Sequence, residues 1–335
     1  MSELSRQVCG TMEVHRRLAR TIPDYVASRL LVEKRTLAFR RAPRLIRPVM
    51  TIPVVVHVIY NTPEQIVSDE QIRSQMVVVN KDFRARNSEI KSIPRPFKKL
   101  VGDARLAFKL AVRDPDGNPT SGITRTHTEV SIFDLDDSMK FRSTGGADAW
   151  PTDRYLNMWV CDLKERHGYA QFPAPPANTD GVVIDYESFG TIGTAKYPFH
   201  KGRTATHEIG HWLNLLHVWG DDGKGCERSD NVEDTPNQAG PNKGKPQFPS
   251  ITCNNGPHGD MFMNYMDYSD DDIMCMFSKG QCERMFATLD GFRAALQYSD
   301  GLMKATKKTV AARLAPPTAG RRARAQFVFN GVDWV

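Results

Sequence analysis

Three histidines and a glutamate stand within one apolar run, His207-Glu-Ile-Gly-His-Trp-Leu-Asn-Leu-Leu-His217, and few folds can bury such a run. His207 and His211 are four apart, so on a helix they project from one face, a turn apart. Two imidazoles so placed can hold one Zn²⁺ at about 2.0–2.1 Å. Glu208 lies beside the first histidine, where it reaches water at such a metal without being a ligand. His217 comes six residues after His211, so it completes a three-histidine site only if the helix ends and the chain turns back. The fourth position then stays open, which marks a catalytic rather than a structural zinc. The competing reading is a surface helix with three scattered histidines. It leaves Ile209, Trp212, Leu213, Leu215 and Leu216 unexplained, because these bury the helix, and a buried helix does not leave such polar groups without a partner.

The extended pattern resembles that of the metzincin zinc proteases, His-Glu-x-x-His-x-x-Gly-x-x-His followed by a methionine turn. Asn214 stands where most metzincins have a glycine whose left-handed backbone breaks the helix. Asparagine is the next most tolerant residue there. The longer run from Thr204 to Gly220 resembles one branch, the pappalysins, which include the cytophagalysin and ulilysin types. Asn264-Tyr-Met-Asp-Tyr268 is similar to their methionine turn. By that resemblance Met266 forms a soft apolar floor under the zinc, and Tyr268 approaches the metal and stabilises the oxyanion. Further similarity lies in Ile52–Tyr60, Gly145–Pro151, Tyr155–Cys161, Cys275–Gln281 and Arg284-Met285.

The resemblance implies an α/β (α+β) metzincin-like domain. Its parts are a twisted five-stranded mixed sheet with backing helices, an active-site helix, the methionine turn and a C-terminal helix. It implies hydrolysis of protein or peptide substrates, with Zn²⁺ held by His207, His211 and His217 and Glu208 as general base. A zinc hydrolase of a non-protein amide and a catalytically weak zinc-containing binding module are the alternatives. Cys226 and Cys253 flank a loop that the family closes with a disulfide, a bridge worth about 3 kcal/mol in the chain-entropy model. A second family bridge lacks its cysteine at Ile273, so Cys275 and Cys282 are expected to pair as a substitute. Cys161 reads as a buried free thiol. Cys9-Gly-Thr11 resembles the propeptide motif whose thiolate takes the open zinc position in ulilysin-type zymogens. Asp230, Glu233 and Thr235 resemble a Ca²⁺-binding loop that offers hard oxygen ligands. Asp272, aligned on Met266 and Met276-Phe277, falls where ulilysin-type enzymes place an acid at the base of the S1′ pocket. That implies cleavage N-terminal to Arg, and less well to Lys.

Charge excludes little and points nowhere else. Lys and Arg outnumber Asp and Glu by 45 to 39, a net +6. The excess lies in Lys304, Lys307, Lys308, Arg313, Arg321, Arg322 and Arg324, a stretch with no acidic residue. No aromatic-basic interleaving suggests nucleic-acid binding, and no run is long and apolar enough to span a membrane. Residues 1–9 have no apolar core of a secretory signal. The family resemblance nevertheless implies secretion, with a cytoplasmic site or non-classical export as the alternative.

Periodicity predicts one or two helices over Met12–Phe39, broken at Pro23, then a basic linker to Pro48. Strands are predicted at Ile52–Tyr60, Arg105–Arg113, Tyr155–Cys161 and Gly181–Tyr186, and an edge strand at Tyr169–Phe172. Ser68-Asp-Glu-Gln71 opens a helix to Phe83 with a capping pattern. The zinc helix is predicted over Gly202–Leu213, and the last helix over Ser278–Ala295. The chain thus divides into a propeptide-like segment (1–46), a catalytic domain (47–303) and a basic tail (304–335). Cleavage before Arg47 would separate the first two.

Overall fold

A run such as Val54-Val55-Val56 is buried on both faces, which fits the middle of a parallel sheet covered on each side. In the computed structural model, residues 7–40, 47–221 and 225–304 are described. The elements in chain order are β1 (Gln7–Cys9), α1 (Thr11–Thr21), α2 (Tyr25–Arg40), β2 (Met50–Tyr60), α3 (Asp69–Asp82), α4 (Arg95–Lys98), β3 (Leu106–Leu110), β4 (Ile123–His127), β5 (Leu156–Cys161), β6 (Arg166–Ala170), β7 (Val182–Asp185), α5 (Arg203–Trp212), β8 (Lys243–Gly244), β9 (Tyr268–Ser269) and α6 (Lys279–Asp290). The basic tail expected at 304–335 lies, past Lys304, outside the described residues.

The main sheet runs β1-β6-β7-β5-β2-β3, and β4 also pairs with β2. β3 and β4 share one edge position, because β3 pairs with Met50–Val54 and β4 with Val56–Tyr60. Without β1 this is the expected five-position mixed sheet, in which β6 alone runs antiparallel to its neighbour β7. The N-terminal segment adds a sixth position. β1 lies parallel against the outer edge of β6, with Cys9 opposite Gly168. An open edge of this kind presents unpaired backbone groups that any extended segment can satisfy.

The main core lies between the sheet and α3, α5 and α6 and includes Ile72, Phe83, Ile209, Trp212 and Met285. Ser68 caps α3 by accepting from Gln71 N at 3.1 Å, and Ser278 and Gln281 form a capping box on α6. A second core forms under α1, where Val14 and Leu18 meet Phe133, Trp159 and Tyr169. At the start of the domain Arg47 pairs with Asp290, the last residue of α6. Its guanidinium lies 5.1 Å from the Phe39 ring centre and 5.4 Å from that of Phe286. No helix among the described residues is long and apolar enough to cross a membrane.

Candidate metal centre and active site

Helix α5 starts at Gly202, in the left-handed region at φ 74°, and brings the motif to the cleft. It stops where the pattern required. Asn214 takes φ 74°, and Leu215 N returns to Gly210 O at 2.9 Å. The reversal carries His217 back beside the helix. His211 Nε2 then lies 3.0 Å from His207 Nε2 and 3.1 Å from His217 Nε2.

Each imidazole is held from behind. His207 Nδ1 faces the Tyr265 carbonyl at 2.6 Å, His211 Nδ1 the Leu215 carbonyl at 2.7 Å, and His217 Nδ1 the Asp221 carboxylate at 2.6 Å. Each acceptor fixes the proton on Nδ1, so three unprotonated Nε2 lone pairs converge on one point. Burial pushes the His207 imidazole down to about 3 and His211 well below its ordinary value, so both are neutral. Converging lone pairs repel unless a cation lies among them. Nitrogens at such spacing suit a tetrahedral ion with ligands at about 2.0–2.1 Å, so the residues fit zinc.

The fourth corner is taken by Cys9. Its Sγ and the three histidine ligand atoms all lie within 4.8 Å of one another, the one metal-ligating cluster among the described residues. Cys9 also blocks the neighbouring groups. Its thiol approaches Glu208 Oε2 at 3.6 Å, and its carbonyl accepts from the Tyr268 hydroxyl at 3.5 Å. Thr11 donates to Glu208 Oε2 at 2.9 Å and accepts from Ala170 N at 2.8 Å. Glu208 Oε1 is buried without a partner. Burial pushes the Glu208 carboxyl up to about 8 against those two hydrogen bonds.

Met266 is buried beneath the helix, where a Cβ on Gly210 would lie 2.5 Å from its Sδ. Tyr268 packs 5.0 Å from the His217 ring and 4.7 Å from Trp219. The disulfide Cys226–Cys253 is formed.

Three expectations are corrected or narrowed. Cys275 and Cys282 are free. Cys275 precedes α6 and packs with Phe97, Met261 and Met263, whereas Cys282 on the helix packs into the main core. Their side chains enter different clusters and cannot bridge. Asp272 is not at a pocket base. It turns outward, where it takes the ammonium groups of Lys201 and Lys245 at 2.7 and 2.5 Å. The acid that lines the small pocket beside His207 and Glu208, with Phe199, Arg203 and Met274, is its neighbour Asp271. Asp271 accepts from Lys201 N at 2.7 Å, and burial pushes its carboxyl up to about 7. Of the predicted Ca²⁺ loop, Asp230 and Thr235 are together, with the Thr235 hydroxyl donating at 2.8 Å, but Glu233 is exposed.

Sequence reading missed Thr11, Asp221 and Asp271 in these places. Asp221 carries no motif of its own, and in Cys9-Gly-Thr11 the role falls to the thiol, with none implied for the threonine. Asp271 is separable from Asp272 only once the turn decides which carboxylate points inward.

Known proteins share sequence and fold with this chain. The family described as Pregnancy-associated plasma protein-A (Peptidase_M43) matches over residues 142–290. An extracellular metalloprotease of Colletotrichum graminicola is 33% identical over 208 residues, 58% of this chain and 71% of that protein. One from Arthroderma benhamiae is 28% identical over 274 residues, 80% of this chain and 81% of that protein. Tannerella forsythia mature mirolysin, solved with a cleaved peptide, is 52% identical, with a TM-score of 0.74 over 75% of this chain and 97% of its own. A promirolysin mutant from the same organism is 47% identical, with a TM-score of 0.80 over 87% of this chain and 97% of its own.

The chain belongs to the pappalysin family of metalloproteases. Its fold is that of mirolysin, a metzincin.

Proposed function

We propose that this metalloprotease is a zinc-dependent endopeptidase made as a latent precursor, with residues 1 to about 46 as the inhibitory segment. The convergence of Cys9 Sγ and three histidine nitrogens beside Glu208 carries the reading. His207, His211 and His217 would hold Zn²⁺, which supplies Lewis-acid polarisation of the scissile carbonyl and activation of water. Once Cys9 and Thr11 leave, the Glu208 carboxylate is free to take a proton from water and pass it to the leaving amine. The Tyr268 hydroxyl, released from the Cys9 carbonyl, donates to the developing oxyanion.

Glu208→Ala should keep its zinc and lose activity by several orders of magnitude, as about 10²–10⁴-fold general-base effects compound with loss of water orientation. Metal analysis beside a casein assay tests this, and full proteolysis by the variant would refute the mechanism. Cys9→Ala should shed the N-terminal segment faster than the unaltered chain.

The finer readings rest on single residues. Asp271 in the pocket wall favours a cationic side chain on the C-terminal side of the cut, Arg before Lys. Asp230 and Thr235, in a loop closed by the disulfide, suit Ca²⁺. Secretion is favoured because the relatives are named extracellular metalloproteases, and a tagged chain recovered only from cells would refute it.

A further inference from the structure

Helix α1 covers a surface that the chemistry above does not use. Gly168 of β6 faces α5, where an added Cβ would lie 3.0 Å from Glu208 Cγ. Tyr169, the next residue, therefore points to the opposite side of the strand. There Val14 and Leu18 of α1 pack with Phe133, Tyr169 and Ala174. Asp137 forms the floor, itself 2% exposed. Its Oδ1 accepts from Tyr169 Oη at 2.9 Å and pairs with Lys140 Nζ at 2.7 Å. Its Oδ2 takes the guanidinium of Arg17. The footprint is continuous with the metal site: the His15 ring lies 5.4 Å from Phe172, which lies 5.4 Å from His211.

We propose that this footprint is a substrate exosite in the processed enzyme, which takes a polypeptide segment carrying a basic residue beside aliphatic ones, away from the scissile bond. The inference rests on the removal of the N-terminal segment and adds a site separate from the Asp271 pocket. Arg17 is the stand-in for the substrate's cation, and Val14 and Leu18 for its aliphatic neighbours. Positions 14, 17 and 18 share one helical face, so the site recognises a short amphipathic basic turn. Loss of α1 leaves Asp137 Oδ2 without its guanidinium while Oδ1 keeps Lys140 and Tyr169, so one buried acceptor lobe is freed that a substrate guanidinium fills through charge-assisted hydrogen bonds. The excised segment and a second copy of the chain are competitors that the test distinguishes.

The full chain is allowed to process, and N-terminal sequencing verifies loss of α1. Reporter peptides with a fluorophore and quencher flanking only the cleaved bond are extended, on one side or the other, by the sequence of residues 12–21 with citrulline at positions 16 and 20 and an N-methylated amide before position 17, so that the tag itself is not cut. A matched pair carries citrulline in place of Arg17. On one side the arginine tag should lower KM about tenfold relative to citrulline, the scale of one charge-assisted hydrogen bond, with kcat little changed. In Asp137→Asn the arginine-to-citrulline ratio should fall to about one. If that variant does not fold, the citrulline pair on the unaltered enzyme decides. The free tag peptide should compete with tagged reporters and leave untagged ones alone. Equal KM for arginine and citrulline on both sides, or equal inhibition of both reporters, overturns the exosite alone. Full activity of the unprocessed chain on untagged reporters overturns the latent-precursor reading and the exosite with it. A tag effect that appears only at concentrations where the enzyme dimerises assigns the surface to a second copy and also overturns it.

Discussion

A single residue, Cys9, lies against every group to which the proposed mechanism gives a role. It faces the metal histidines through sulfur, Glu208 through the thiol and Tyr268 through its carbonyl. Other single residues carry predictions of their own. Burial pushes the Asp230 carboxyl up to about 7, against the Thr235 hydrogen bond. Between the ordinary carboxylate range and about 7, the folded chain therefore keeps a proton that the unfolded chain has lost. Stability contributed by this group is full at low pH and declines as pH rises through that window. A Ca²⁺ ion at the carboxylate would take the proton's place. Added Ca²⁺ should thus raise Tm more at pH 8 than at pH 5 in calorimetry, and an equal rise at both would count against the site. If the enzyme prefers Arg after the cut, as proposed, Asp271→Asn should weaken that preference far more than Asp272→Asn, whose carboxylate takes Lys201 and Lys245. Product sequencing of both variants checks the assignment.

At the scale of elements, the end of α5 sets the metal geometry. Asn214 holds φ 74° and is buried. An alanine there would carry a left-handed strain of about 1–2 kcal/mol. Asn214→Ala should lower Tm and zinc affinity together, and Asn214→Gly should recover most of both, as a chelator titration would reveal. The helix and its stop were legible in the sequence because the histidine spacing and the apolar residues admit one geometry. β2, β5, β7 and α3 were legible for the same reason: their periodicity is strong and their caps are local. β4 was not, since Ile123-Thr-Arg-Thr-His127 is half-exposed and its pairing with the far half of β2 leaves no apolar pattern. The inward acid and the unpaired Cys275 and Cys282 were not legible either, because both depend on which way a turn points its side chains. β1 is three residues long, and nothing in its composition announces that it completes a sheet edge.

For the whole molecule, the N-terminal segment is tied down at points far apart in sequence. Beyond β1, Arg29 donates to Asn214 Oδ1 at 2.6 Å, and Glu33 takes Arg284 Nη2 at 2.8 Å and Asn214 Nδ2 at 3.0 Å. In the latent-precursor reading proposed above, inhibition is thus shared between the histidine site and the turn that shapes it. Arg284→Gln should leave Cys9 in place but speed the appearance of processed chain on gels, by loosening α2. The Arg47 contact has a different consequence. If the enzyme cuts before arginine, Arg47 must enter the Asp271 pocket to be cut, yet its guanidinium is engaged by Asp290 at the end of α6. One molecule cannot present that bond to its own cleft while the contact lasts. Release of Arg47 from Asp290 then limits the first cut, so maturation should begin after a lag that Asp290→Ala shortens.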